Sequence, residues 1–255
     1  MSETADRPAH QVFAASGKRV LRPGGTALTE RLLDQIALQA GADVVEFAPG
    51  TGATAERLLD RDPATYRGID LDADTVARLR ERLGGPNREF LTGHAAETGL
   101  ERSSADVCVG EAMLTMQADD GARAIVDEAA RLLRATGRYG IHELAVHDDV
   151  PADRQDQIAL DLESVLGVPA RPRTESTWVD ILDQEGFTVE WTDRAPMALL
   201  DPRRLVADEG VLGAIRFGAR VLRDRDARQR VRSIRTTFRE HADALTALAV
   251  VARRD

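Results

Sequence analysis

At 255 residues, with 43% hydrophobic and 30% charged residues, the chain is long enough for one sizeable core and has the make-up of an ordinary globular protein. Its formal net charge of -9 argues against a general nucleic-acid binder, which needs a positive face, and its single cysteine, Cys108, excludes an internal disulfide or a cysteine zinc cluster. No stretch approaches about 20 apolar residues, so a membrane span is excluded; Met1–Pro8 does not read as a signal peptide, and the expected setting is cytoplasmic, without a membrane partner.

Residues 1–16 read as a loose arm. After the Pro23-Gly24-Gly25 turn, Leu28, Leu32, Leu33, Ile36 and Ala37 share one side of a helix; Arg22 and Thr26 flank that turn as weaker candidates for lining a site. Strand one covers Asp43–Ala48, and a small-residue turn through Gly50 and Gly52 opens a helix. Strand two is Tyr66–Asp70, with Asp72 placed to cap the helix of Val76, Leu79 and Leu83. Strand three is Glu89–Thr92, strand four Asp106–Gly110, a helix spans Asp119–Leu133, and strand five is Arg138–Leu144. Strands separated by amphipathic helices of this length make βαβ units and a mostly parallel sheet, so the fold class is α/β.

Beyond strand five the pattern loosens. Ile158, Leu162, Val165 and Leu166 mark one short helix, and Thr174 caps another that carries Trp178, Ile181 and Leu182. Strand six is Phe187–Trp191, a long helical stretch runs from Pro202 to about Arg239, and the last strand is Leu245–Ala252. The chain reads as a single domain over 1–255. Segments 148–173 and 192–244 are insertions that cap the carboxyl ends of the strands, where open sheets bind ligands.

The stretch Glu46-Phe47-Ala48-Pro49-Gly50-Thr51-Gly52 is the first chemical signal. A strand that runs into a glycine turn and a helix start brings backbone N–H groups close to a ligand's polar tail. Asp70, at the end of strand two and about 20 residues beyond the turn, is the second, because an acid there can accept hydrogen bonds from both ribose hydroxyls of an adenosine. With Gly68-Ile69-Asp70, Gly93-His94-Ala95, Ala105-Asp106-Val107 and the Leu133–Gly137 turn, these residues resemble the class I S-adenosylmethionine-dependent methyltransferases, small-molecule branch, over about residues 43–145. The resemblance implies a three-layer, Rossmann-like sandwich with seven strands, the last antiparallel, and S-adenosylmethionine as the cofactor.

By position, the resemblance puts Glu46 and the 48–52 turn (Ala48, Gly50, Gly52) at the methionine end, Asp70 at the ribose, and His94 and Ala95 at the adenine, with Leu71 and Glu111 also among the cofactor-binding residues. Two residues depart from the family pattern. Ala48 stands where Gly is usual, which is tolerable if its φ is negative, and His94 stands where Asp is frequent, a neutral ring nitrogen being able to accept from the adenine amino group.

Candidates for a general base are Glu111, His142, Glu143 and His147. His142 and Glu143 alternate in direction, so at most one of that pair faces the site, and no metal is expected. Met113, Met116 and Trp178 are core residues or the lining of an apolar acceptor pocket. The arginines from Arg216 to Arg235 read as a solvated, salt-bridged helix, with RNA or an anionic acceptor as competing uses.

The expected reaction is methyl transfer to a small-molecule O, N or S acceptor, without nucleic acid, and with a homodimer as one open assembly. The alternatives are a nicotinamide-dependent oxidoreductase, disfavoured because Gly50 and Gly52 lack a third glycine, and a non-catalytic module that binds a metabolite.

Overall fold

The computed structural model describes residues 22–197 and 202–255, so the arm expected at 1–16 lies outside the described residues. Helix α1 (Gly25–Ile36) leads into β1 (Asp43–Phe47), α2 (Ala53–Leu59), β2 (Thr65–Asp70), α3 (Ala73–Leu83), β3 (Arg88–Thr92) and β4 (Ala105–Glu111). A single 3-10 turn at Leu114–Met116 precedes α4 (Asp119–Leu132), β5 (Leu133–Val146), α5 (Ala152–Leu166), β6 (Arg173–Thr174), α6 (Glu175–Gln184) and β7 (Phe187–Pro196). The chain closes with α7 (Pro202–Arg223), α8 (Arg225–Glu240) and β8 (Leu245–Arg254).

The sheet order is β3-β2-β1-β4-β5-β8-β7, with β1 to β5 parallel and β8 antiparallel to both β5 and β7. The strand order reverses between β1 and β4, which opens a crevice at their carboxyl ends. An antiparallel β8 inserted between β5 and β7 also separates this sheet from the dinucleotide-binding arrangement, whose strands continue parallel.

Alternation of side chains builds the two faces. Val45, Phe47, Cys108 and Ile141 pack under α4 and α6, while Val44, Val107, Val109 and Val251 pack under α1, α2 and α3. Leu28, Leu32, Leu33 and Ile36 of α1 are buried as their spacing requires, but Ala37 leaves the helix with φ 52. Asp72 and Thr174 are the expected caps, accepting from the N–H groups of Asp74 and Thr75, and of Thr177.

Four features differ from the expectation. The two-residue β6 pairs with β5 and makes an eighth strand. Strand β5 begins at Leu133, so the supposed turn is a bulge within it, marked by Thr136 at φ 66 and a register slip between Ala105 and Val107. The last insertion begins beyond Pro196, because β7 is held by β8 over its whole length. The long helix is broken twice, by Gly210 at φ 72 and by Asp224, whose carboxylate caps α8 through the Asp226 and Ala227 N–H groups.

Helices α5, α7 and α8 have apolar centres of their own. Ile158 and Leu162 pack on Leu144, Val146 and Leu245, and Phe217 and Val221 pack on Ile234.

Candidate active site

Strand β1 delivers its chain into a left-handed corner. The Ala48 N–H donates to the Ile69 carbonyl at 2.7 Å, and Ala48 itself has φ 51. The expectation of a negative φ is therefore wrong: this turn needs the left-handed region, where a Cβ costs about 1–2 kcal/mol. Gly52, at φ 77, caps α2; a methyl there would collide with the Arg82 guanidinium and Leu79. At Gly50, by contrast, a methyl would meet only the Ala48 carbonyl oxygen at 3.8 Å, so that side of the turn is open.

Asp70, at the end of β2, accepts from the Gly50 N–H at 3.0 Å and from the Asp72 N–H at 3.0 Å. One carboxylate thus ties the turn to the neighbouring strand end and keeps further lone pairs on both oxygens. Leu71 beside it is 66% exposed. Beyond β3, the ring of exposed His94 accepts the Ala96 N–H at Nδ1, 3.0 Å away. That bond places the proton of the neutral ring on Nε2, so His94 offers a ligand a donor; the expected acceptor for an amino group is not available in this tautomer. The Ala95 methyl is buried in the core beside Ile69, leaving only its backbone for a ligand.

Below the turn lie two buried glutamates on adjacent strands. Glu46, on β1, accepts from the Tyr66 hydroxyl at 2.6 Å, and burial pushes its carboxyl up to about 8 against the pull of that bond. Glu111, at the end of β4, accepts from Thr29 Oγ1 at 2.6 Å, from His142 Nδ1 at 2.8 Å and from the Thr54 hydroxyl. Arg22 Nη1 stands 3.3 Å from its second oxygen and donates to Thr54 Oγ1 at 2.6 Å. Burial works to raise Glu111, but the Arg22 charge, followed by the bonds from His142 and Thr29, holds it down at about 2.

The geometry bears on each candidate base. The oxygens of Glu111 are occupied, and a carboxyl held at about 2 is a weak base at neutral pH. The His142 bond to Glu111 puts its proton on Nδ1 and leaves Nε2 with a lone pair, but the ring is fully buried under Gly24. Glu143 faces the other way. Its two oxygens take the N–H groups of Met113, Leu114 and Thr115 at 2.9, 2.8 and 3.0 Å, and the Thr115 hydroxyl at 2.6 Å. It is therefore the clamp of the loop after β4, with no acceptor capacity left over for a substrate. Met113 and Trp178 are core residues, Trp178 lying under the Arg173 guanidinium at 4.9 Å, and Met116 is half-buried. Burial raises the Cys108 thiol, as suits a structural cysteine.

Arg22 was legible as a weaker candidate beside the Pro-Gly-Gly turn, whereas Thr29 and Thr54 carried no signal, because what brings them to the site is proximity to Glu111 across the sheet. Among the described residues, Arg22 Nε and Nη2 are buried without a partner.

Comparison with known proteins agrees with the sheet order. Residues 44–137 match the family model described as a methyltransferase domain. Over nearly its whole length the chain is 26% identical to an uncharacterized protein of Haemophilus influenzae, covering 98% of this chain and 99% of that one. A shorter stretch of 93 residues is 35% identical to ribosomal RNA small subunit methyltransferase A of Parasynechococcus marenigrum, covering 36% of this chain and 30% of that enzyme. Among solved structures, phosphoethanolamine N-methyltransferase 2 of Haemonchus contortus superposes with a TM-score of 0.73 at 14% identity, over 100% of this chain and 61% of that one. The [4+2]-cyclase SpnF superposes at 0.68 with 15% identity, over 95% and 89%. The chain thus has the fold of the class I S-adenosylmethionine-dependent methyltransferases, and its residues 44–137 match a methyltransferase domain.

Proposed function

We propose that the protein moves the methyl group of S-adenosylmethionine to a small-molecule O, N or S acceptor by in-line displacement at the carboxyl ends of β1, β2 and β4. The observation that carries this reading is the Asp70 carboxylate, fastened to the glycine turn through the Gly50 N–H and still able to accept. In this reading Asp70 holds the ribose hydroxyls, Leu71 lies against the adenine, the Ala95 backbone flanks it, and His94 Nε2–H donates to a ring nitrogen. Ala48, Gly50 and Gly52 wrap the methionine end beside Glu46. The unpartnered donors of Arg22 fit that end's carboxylate.

S-adenosylmethionine supplies, when bound, a methyl already activated on a sulfonium. What this chain must add is alignment and the exclusion of water. Glu111 acts here as a positioning residue: it joins Thr29 of α1 and Thr54 of α2 to His142 of β5, so the two helices that border the turn share one anchor. Glu143 fixes the loop that follows β4 in the same manner. The whole chain works as one unit in this account, with α5, α7 and α8 as the cap, and the buried single cysteine suits a reducing, cytoplasmic compartment.

Isothermal titration with S-adenosylmethionine should show saturable binding, weakened about ten- to hundredfold by Asp70→Ala, the worth of a charge-assisted hydrogen bond. Absence of binding by the unaltered protein would overturn the reading. A use of the cofactor without methyl transfer is the second reading, favoured by the superposition on a cyclase. Tight binding with no methylated product across thiols, phenols and amines would select it.

A further inference from the structure

Helix α7 has two dissimilar faces. Phe217 and Val221 are buried against Ile234 and Phe238 of α8 and Val165 and Leu166 of α5. Another face carries Val211, Leu212, Ile215 and Leu222, each 61–69% exposed. Steps of four and seven residues place Val211, Ile215 and Leu222 along one line of the helix, with Leu212 at its margin. Arg216, Arg220 and Arg223 form the adjoining exposed row, and Arg225 continues it at the start of α8. Contrary to the expected salt-bridged helix, none of these four arginines is ion-paired among the described residues. The segment from Pro202 to Glu240 holds eleven arginines and five acids in a chain whose net charge is -9, so a basic cap sits on an acidic body.

A partner must satisfy hydrocarbon and positive charge side by side. Nucleic acid meets the charge, but the exposed row of Val, Leu and Ile has no aromatic ring for bases to stack on. A second copy of the stripe meets the hydrocarbon, but antiparallel pairing of two such helices brings arginine row against arginine row. A bilayer rich in anionic headgroups satisfies both, with acyl chains for the aliphatic stripe and phosphates for the guanidinium groups.

We propose that α7 lies flat on an anionic lipid surface, with Val211, Leu212, Ile215 and Leu222 in the acyl boundary and Arg216, Arg220 and Arg223 at the phosphates. This contact departs from the expectation of no membrane partner, and it is not a span: among the described residues no helix is long and apolar enough to cross a bilayer. The docking needs no cofactor and stands apart from the methyl-transfer reading.

The test is co-sedimentation of the full chain with phosphatidylglycerol-doped phosphatidylcholine vesicles and with phosphatidylcholine alone, without cofactor. The expected result is binding to the anionic vesicles that falls with added salt and is weak on the neutral ones. Arg220→Gln with Arg223→Gln should lower the partition by about thirtyfold, and Leu212→Ser with Ile215→Ser by at least about tenfold. Because all four side chains are exposed, unchanged thermal unfolding serves as the control for folding. No sedimentation with anionic vesicles, or sedimentation that neither pair alters, would overturn the proposal. So would a concentration-dependent dimer abolished by the Leu212/Ile215 pair, or tighter binding to a single-stranded oligonucleotide than to the vesicles.

Discussion

The ends of β1 and β4 lie side by side, each with a buried glutamate, and the two behave in opposite ways. Glu46 meets a phenol and is pushed up to about 8; Glu111 meets Arg22 and is held at about 2. Burial acts on both in the same direction; the Arg22 guanidinium, delivered by the chain ahead of α1, leads the groups that hold Glu111 down, with His142 and Thr29 after it, while the Glu111 charge pushes Glu46 further up. Where two carboxyls in one site are driven apart like this, one is a fixed charge and the other a group whose charge can change. The β4 end is a permanent anchor, while the β1 end gains a negative charge when a cation comes near or the pH rises.

The largest test of that contrast removes Arg22. Arg22→Leu leaves the Glu111 charge buried without its guanidinium partner, and should cost about 3–5 kcal/mol in urea-induced unfolding. A cost under about 1 kcal/mol would mean that the hydroxyls and His142 alone hold Glu111, and the contrast between the two strand ends would have a different cause.

A smaller effect separates the two glutamates by pH. Glu46 is raised from 4.5 to about 8, so the folded state keeps a proton that the unfolded chain has lost. Its contribution is complete below 4.5 and declines as pH rises through about 8. Glu111 runs the other way: its contribution is complete above 4.5 and is lost as pH falls through about 2. Melting temperatures across the interval from 4.5 to 8 should therefore decline with pH in the unaltered protein and flatten in Glu46→Gln. An equal decline in the variant would assign the slope to other groups.

The smallest effect lies two residues further along the β1 end. Ala48→Gly relieves a left-handed alanine and should raise stability by up to about 1 kcal/mol, read from thermal unfolding. No gain would show that the turn holds this backbone without strain.

Much of the scaffold was readable along the chain because its signals are local. The Val-rich strands, the Leu and Ile spacing of α1, the Asp72 and Thr174 caps and the Gly50–Gly52 turn each follow from a few consecutive residues. Asp70 was legible for the same reason, being an acid where a strand ends. Local signals also misled: the Leu133–Gly137 segment reads as a turn but is pulled into β5 by its pairing with β4, and one helical period from 202 to 239 hides two breaks.

Composition, periodicity and motif order by themselves determined an α/β sheet and named candidate residues at its strand ends. Only the tertiary structure decided which of those residues are free to act. Glu111, His142 and Arg22 are far apart in the chain, and the ionisation of Glu111 and the tautomer of His142 depend on distances that no spacing encodes. Glu143 became a loop clamp because a strand alternates its side chains and the β4 loop folds over one face. The φ of Ala48 was set by the bond from its N–H to Ile69, on the neighbouring strand. Charge, burial and backbone sign are properties of what surrounds a residue, and in this protein most of those surroundings come from distant parts of the chain.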